Sequence, residues 1–234
     1  MKSLLLTPVL ALFCVVATAQ VSPKEKQALL DIYVATQGDQ WTQSWDVNKP
    51  VSEWQGITVE NDKVTSISLL FNNLSGELPA SIGDLAHLKT LELSFNNIKG
   101  SLPQTLGSLK ELEILAFNGN MLSGEIPATL GNLTNLKQLH LSSNKLSGQV
   151  PTDINNLTKL EVFNVFDNKL AGNLPVQLAN NSNLKELMIA ENSFTNTEIF
   201  SIVLMSNSGA LDLEKKTIVP ATKTVIAIES SEDN

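Results

Sequence analysis

The chain has 234 residues, with 16 basic against 24 acidic side chains and a net charge of −8. Every basic residue is lysine. A nucleic-acid binder wants a basic face and favours arginine for phosphate and base contacts, so that class is set aside, and docking on an anionic membrane surface is disfavoured on the same grounds.

Residues 1–19 read as a secretory signal peptide. Lys2 precedes an apolar run over 4–16, and Ala17-Thr18-Ala19 offers small residues for cleavage near Ala19. The run is short for a membrane span, and Phe13 is bulky for the position before an acylated Cys14. The expected location is therefore secreted or cell surface (periplasmic or extracellular), without stable membrane insertion. Cys14 is the only cysteine, so the exported chain would have neither disulfides nor thiolate chemistry. Losing Lys2 with the leader leaves 15 lysines against 24 acids, a charge of −9. Such acidity confers solubility and favours a cationic partner.

Residues 20–63 read as an amino-terminal cap. Ser22, Pro23 and Glu25 make a helix start, and Ala28, Leu29, Ile32 and Tyr33 share one face of a helix ending near Thr36. Trp41, Trp45 and Trp54 follow, with Pro50 between the last two. They have two readings: a stacking platform for carbohydrate, or a cover for the open end of the first coil. The cover is favoured, since a repeat array otherwise exposes an apolar cross-section.

Residues 64–207 carry six repeats of 24 residues, starting at Val64, Leu88, Leu112, Leu136, Leu160 and Leu184. Apolar side chains recur at the first, fourth, sixth, eleventh, fifteenth, nineteenth and twenty-second places. The ninth is always asparagine: Asn72, Asn96, Asn120, Asn144, Asn168 and Asn192. A glycine holds the thirteenth and a proline the sixteenth in five of the six. One such unit cannot bury its own apolar side chains, so units stack into a solenoid. The opening L-x-x-L-x-L reads as a short strand, and successive strands pair in parallel. The ninth-place amide can satisfy backbone groups freed where the chain turns off the strand, giving a buried ladder of six. Gly and Pro suit an irregular far side. The expected fold is an α/β solenoid, curved, with a parallel β-sheet on the concave face, an irregular or 3-10 convex side and a helical amino-terminal cap.

The array decays toward its end. Asn181 and Asn196 replace the expected Leu and Gly, and the proline is lost. A short helix from Thr197, one or two strands within 216–228, a carboxy-terminal cap over 208–228 and a disordered acidic tail over 229–234 are expected.

The pattern LxxLxLxxNxLxGxLPxxLGxL resembles the plant-type leucine-rich repeat, which also occurs in secreted bacterial proteins. The stretch at 52–69, SEWQGITVENDKVTSISL, resembles that family's opening segment, where Trp-x-Gly-(Val or Ile)-Thr leads into the first strand. Plant members carry a cysteine pair in this cap, one of them near Val59. Its absence points to the bacterial branch rather than a plant receptor ectodomain. The resemblance implies a binding scaffold and supplies no partner.

In such a solenoid the third, fifth, seventh and eighth residues of each repeat face outward on the concave side, and adjacent coils repeat them about 4.8 Å apart. The eighth column is Phe71, Phe95, Gly119, Ser143, Asp167 and Glu191, and the seventh is Leu70, Ser94, Asn118, Ser142, Phe166 and Ala190. The fifth includes Glu92 and His140. The partner-binding candidates are Leu70, Phe71, Glu92, Phe95, Asn118, His140, Phe166, Asp167 and Glu191. Leu70, Phe71 and Phe95 form an apolar end suited to a protein or peptide ligand; equally, Phe before the Asn could shield the strand end. The far end is acidic.

Catalysis finds little support. His140 shares a strand with Ser142 and lies about 10 Å from Glu92 by strand spacing, too far for a triad. His87 has no obvious partner. Asp167 and Glu191 could share a calcium ion, but a solvated acidic edge is favoured. No metal or other cofactor is expected. Asn73, Asn132, Asn156 and Asn180 begin N-x-S/T sequons, which carry glycans only in a eukaryotic source. The leading expectation is a secreted, non-enzymatic binder of a protein or peptide. Alternatives are an extracellular polysaccharide-binding or carbohydrate-active protein, or a receptor-like ectodomain.

Overall fold

The computed structural model describes residues 20–197 and the pair 226–227. The expected leader, the acidic tail and nearly all of the carboxy-terminal cap lie outside the described residues.

Helix α1 (Pro23–Ala35) starts at Ser22, whose Oγ accepts the Glu25 N–H at 3.2 Å. The same hydroxyl donates to Glu25 Oε2 at 2.8 Å, leaving Oε1 to accept the Val64 N–H. One buried carboxylate thus closes a helix start and caps the first residue of the repeat array. Ala28, Leu29 and Ile32 bury the inward face of α1.

Strand β1 (Ile57–Glu60) pairs antiparallel with β2 (Lys63–Ser68). The connecting Asn61 and Asp62 both have positive φ, 49° and 65°, the geometry of a tight two-residue hairpin turn. From β2 onward the sheet is parallel, through β4 (Thr90–Glu92), β6 (Ile114–Ala116), β8 (Gln138–His140), β10 (Val162–Asn164) and β12 (Glu186–Met188). Each residue pairs with the one 24 places on, as in Ser66↔Thr90, Ile114↔Gln138 and Val162↔Glu186. The Ile226–Ala227 pair (β14) adds to the edge of β12.

A second ladder of short strands follows the turn in each coil. These are β3 (Ser75–Glu77), β5 (Asn97–Gly100), β7 (Met121–Gly124), β9 (Lys145–Gly148), β11 (Lys169–Gly172) and β13 (Ser193–Phe194). Each proline then leads into one 3-10 turn, at Ala80–Asp84, Gln104–Ser108, Ala128–Asn132 and Thr152–Asn156. After Pro175 the fifth coil forms a short α-helix, α2 (Val176–Ala179), instead. These turns stack closely: a Cβ on Gly107 would lie 2.3 Å from the Thr129 carbonyl oxygen. The core runs between the two ladders and the turns, with Leu91, Leu115, Leu139, Phe163 and Leu187 from the fourth column fully buried. Each such side chain is worth about 1.5–3 kcal/mol of burial.

The three tryptophans belong to this core. Trp41, Trp45 and Trp54 are all buried, with Trp45 stacked on Trp54 at 4.8 Å and edge-on to Trp41 at 4.8 Å. Their indole N–H groups donate to the carbonyls of Thr36, Gln55 and Lys49. No ring face is left for sugar stacking, so the platform reading of these residues is corrected: they close the end of the first coil.

The ninth-place asparagines make a repeated rung. Asn96 Nδ2 donates to the carbonyl oxygens of Leu69, Leu93 and Ser94, and its Oδ1 accepts the N–H of Leu74. Asn120 does the same with Leu93, Phe117 and Asn118, and with the Ile98 N–H. Asn144, Asn168 and Asn192 repeat the set one coil at a time. Asn72 has no preceding coil, and Gln43 replaces it, donating its N–H at 2.6 Å and accepting at 3.2 Å. Asn72, Asn96 and Asn120 are buried, whereas Asn144, Asn168 and Asn192 are only partly so. The expected uniform burial is therefore corrected for the last three rungs.

Candidate functional site

The outward columns sit on a frame that differs from a plain strand. The β-strands end at the fifth residue of each coil, yet the inter-coil backbone ladder continues to the eighth. Phe95 N–H donates to the Asn118 carbonyl at 2.7 Å, Gly119 to Ser142 at 2.9 Å and Ser143 to Phe166 at 2.8 Å. The eighth residue then turns the chain in the left-handed conformation, in all six coils: Phe71 φ 51°, Phe95 59°, Gly119 61°, Ser143 51°, Asp167 54° and Glu191 56°. This column is therefore a rim where the backbone leaves the sheet, not a continuation of the strand face.

Phe71 and Phe95 stack on the rim with ring centroids 4.5 Å apart and planes within 6°. They remain 68% and 48% exposed, beside Leu70 at 37%. Gly119 makes room for the pair, since a Cβ there would fall 2.7 Å from Phe95 Cδ1. Four coils along from Leu70, Phe166 is 36% exposed next to Asp167. The Asp167 carboxylate is exposed and has no partner among the described residues.

The other candidates are more engaged. Glu92 accepts from Ser68 Oγ at 2.9 Å. Asn118 Oδ1 accepts both the N–H and the hydroxyl of Ser142, while Asn118 N–H donates to Ser94 Oγ. The middle of the seventh column is thus a polar chain through Ser94, Asn118 and Ser142, and Asn118 offers only its Nδ2 outward. His140 is half-buried at the centre of the sheet, 3.2 Å from Gln138 Oε1. Burial pushes its imidazole below the ordinary value of 6.5, against the opposing pull of Glu186 and Glu92. Glu191 is exposed at the end of the rim.

His87 is corrected: its Nδ1 lies 2.8 Å from Glu111 Oε1, one coil on. A charge ladder missed by the sequence reading runs down the second column, where Lys89, Glu113, Lys137, Glu161 and Lys185 alternate in sign. Lys137 bonds Glu113 at 2.7 Å, and that carboxylate raises the lysine pKa. Such exposed pairs contribute little to stability. A shallow groove of about 910 Å³ follows Pro103, Pro127 and Pro151, outside the concave columns. Among the described residues no group of three or more His, Cys, Asp or Glu could hold a metal ion. Within the same residues no helix is long and apolar enough to cross a membrane.

A family profile described as a leucine-rich repeat region matches residues 69–226. A polygalacturonase inhibitor of Pyrus communis is 30% identical over 73 residues, 30% of this chain and 22% of its own length. The chain spans under a third of the length of the curated relatives it matches. The ectodomain of the receptor kinase SOBIR1 from Arabidopsis thaliana superposes with a TM-score of 0.66 at 29% identity, covering 75% of this chain and 96% of that one. The Arabidopsis receptor kinase HAESA ectodomain, solved with an IDA peptide hormone ligand, gives 0.62 at 32% identity over 74% of this chain and 29% of its own.

Proposed function

Because the chain belongs to the leucine-rich repeat family, we propose that it is an exported, non-enzymatic binding protein that holds a protein or peptide partner on its concave sheet and rim. The observation that carries this is the Phe71–Phe95 stack. A left-handed conformation costs a bulky residue about 1–3 kcal/mol, and glycine adopts it freely. Gly119 occupies the same place one coil on, so the fold does not require an aromatic there. Two exposed phenylalanines kept in a strained conformation are explained by what they contact outside the chain. The rigid in-register sheet limits the entropy lost on binding.

A solved relative of this fold holds a peptide hormone, and a curated relative is an inhibitor of an enzyme; both support binding over chemistry. The concave His140 bonds Gln138 rather than a nucleophile. The bare Asp167 and the net charge of −8 favour a cationic partner. With the tryptophans packed in the cap, the polysaccharide reading loses the residues that suggested it.

The test is capture from the native environment with immobilised wild type and with Phe71→Ser/Phe95→Ser, beside a glycan array. Capture of a protein or peptide that the double variant loses, at unchanged circular dichroism, supports the reading. Equal capture by both proteins, or a glycan ligand unaffected by the two substitutions, overturns it.

A further inference from the structure

The rim column has a chemical order along the solenoid: aromatic at Phe71 and Phe95, without a side chain at Gly119, small at Ser143 and anionic at Asp167. Coils are about 4.8 Å apart, so Asp167 lies about 14 Å along the axis from Phe95. An extended peptide advances about 3.2–3.4 Å per residue, so four residues span roughly that distance. Side chains four apart on an extended segment point to the same side, as both contacts require. The segment between them would pass over Ser143, whose side chain is small and exposed.

We infer that the rim selects an extended cationic segment with an aromatic or large aliphatic residue on Phe95 of the aromatic stack and, four residues away, a lysine or arginine on Asp167. The inference rests on the binding-face reading above. Spacings of three or five residues put one anchor on the wrong side of the segment. A lysine at the right spacing lays its aliphatic stem along exposed Phe166 and its ammonium against the Asp167 carboxylate. The reverse sequence order fits equally, because the two anchors and not the backbone direction define the match.

The probe is a displayed library of random decapeptides, selected in parallel on the intact protein and on Asp167→Asn. Asparagine tolerates the left-handed conformation, so this variant keeps the fold. The wild type is expected to enrich sequences with an aromatic or large aliphatic residue and a basic residue four apart. Asp167→Asn is expected to lose the basic preference and to bind the selected peptides about tenfold more weakly, the scale of one charge-assisted hydrogen bond. Enrichment without that spacing, no enrichment, or an unchanged preference on Asp167→Asn overturns the inference. If the native partner is still lost from Phe71→Ser/Phe95→Ser, only the spacing falls and the binding face stands; if it is retained, both fall.

Discussion

The Phe95 ring lies over Gly119 so closely that a Cβ on the glycine would sit 2.7 Å from Cδ1. The glycine also holds a φ of 61°. Gly119→Ala should therefore displace the ring and strain the turn together, lowering stability by about 1 kcal/mol. Denaturant unfolding reads the loss, and the near-ultraviolet aromatic signal of the stack should change with it. An unchanged aromatic signal would mean that Gly119 does not hold the pair in place.

Asn120→Leu strips one rung. The buried Ile98 N–H loses its side-chain partner, and the carbonyls of Leu93, Phe117 and Asn118 each lose one of their donors. The expected loss is on the order of 3 kcal/mol. Asn192→Leu removes the same bonds where water reaches, and should cost clearly less. Equal costs would show that burial does not grade the rungs.

Glu25→Ala should cost about 1–3 kcal/mol, because it orphans the buried Val64 N–H. Hydrogen exchange at the Val64 amide is the direct measurement. Protection there equal to wild type would exclude the role of this carboxylate as a cap on the array.

His140 makes stability depend on pH. Its folded pKa lies below the ordinary 6.5 because burial disfavours the cation, so the unfolded chain binds the proton more readily. Stability then falls as pH drops below about 6.5, and the penalty levels off below the folded pKa. Melting temperatures between pH 7 and 5 should decline more steeply for wild type than for His140→Gln. Parallel curves would place the proton's cost elsewhere.

The period was legible because a solenoid repeats its contacts along with its residues: the 24-residue step in sequence is the step in sheet register. The partner of His87 was legible in the same way, one period down at Glu111, once the twenty-fourth column is read as a column. The left-handed rim was not. Phe, Ser, Asp and Glu carry no conformational signal there, and only Gly119 hinted that the turn tolerates positive φ. The tryptophans were ambiguous for a different reason: the same aromatic cluster serves as a sugar platform or as a lid, and only the packing of Trp41 and Trp45 on Tyr33 and of Trp54 on Trp45 decides.

The asparagine rungs give the array a direction of failure. At one end the first rung is latched to Gln43 and roofed by tryptophans; toward the other, Asn144, Asn168 and Asn192 are wetter. Since each coil leans only on its neighbours, heat or denaturant should peel the molecule from the Asn192 side, acidic rim first, with the Phe71–Phe95 stack surviving longest.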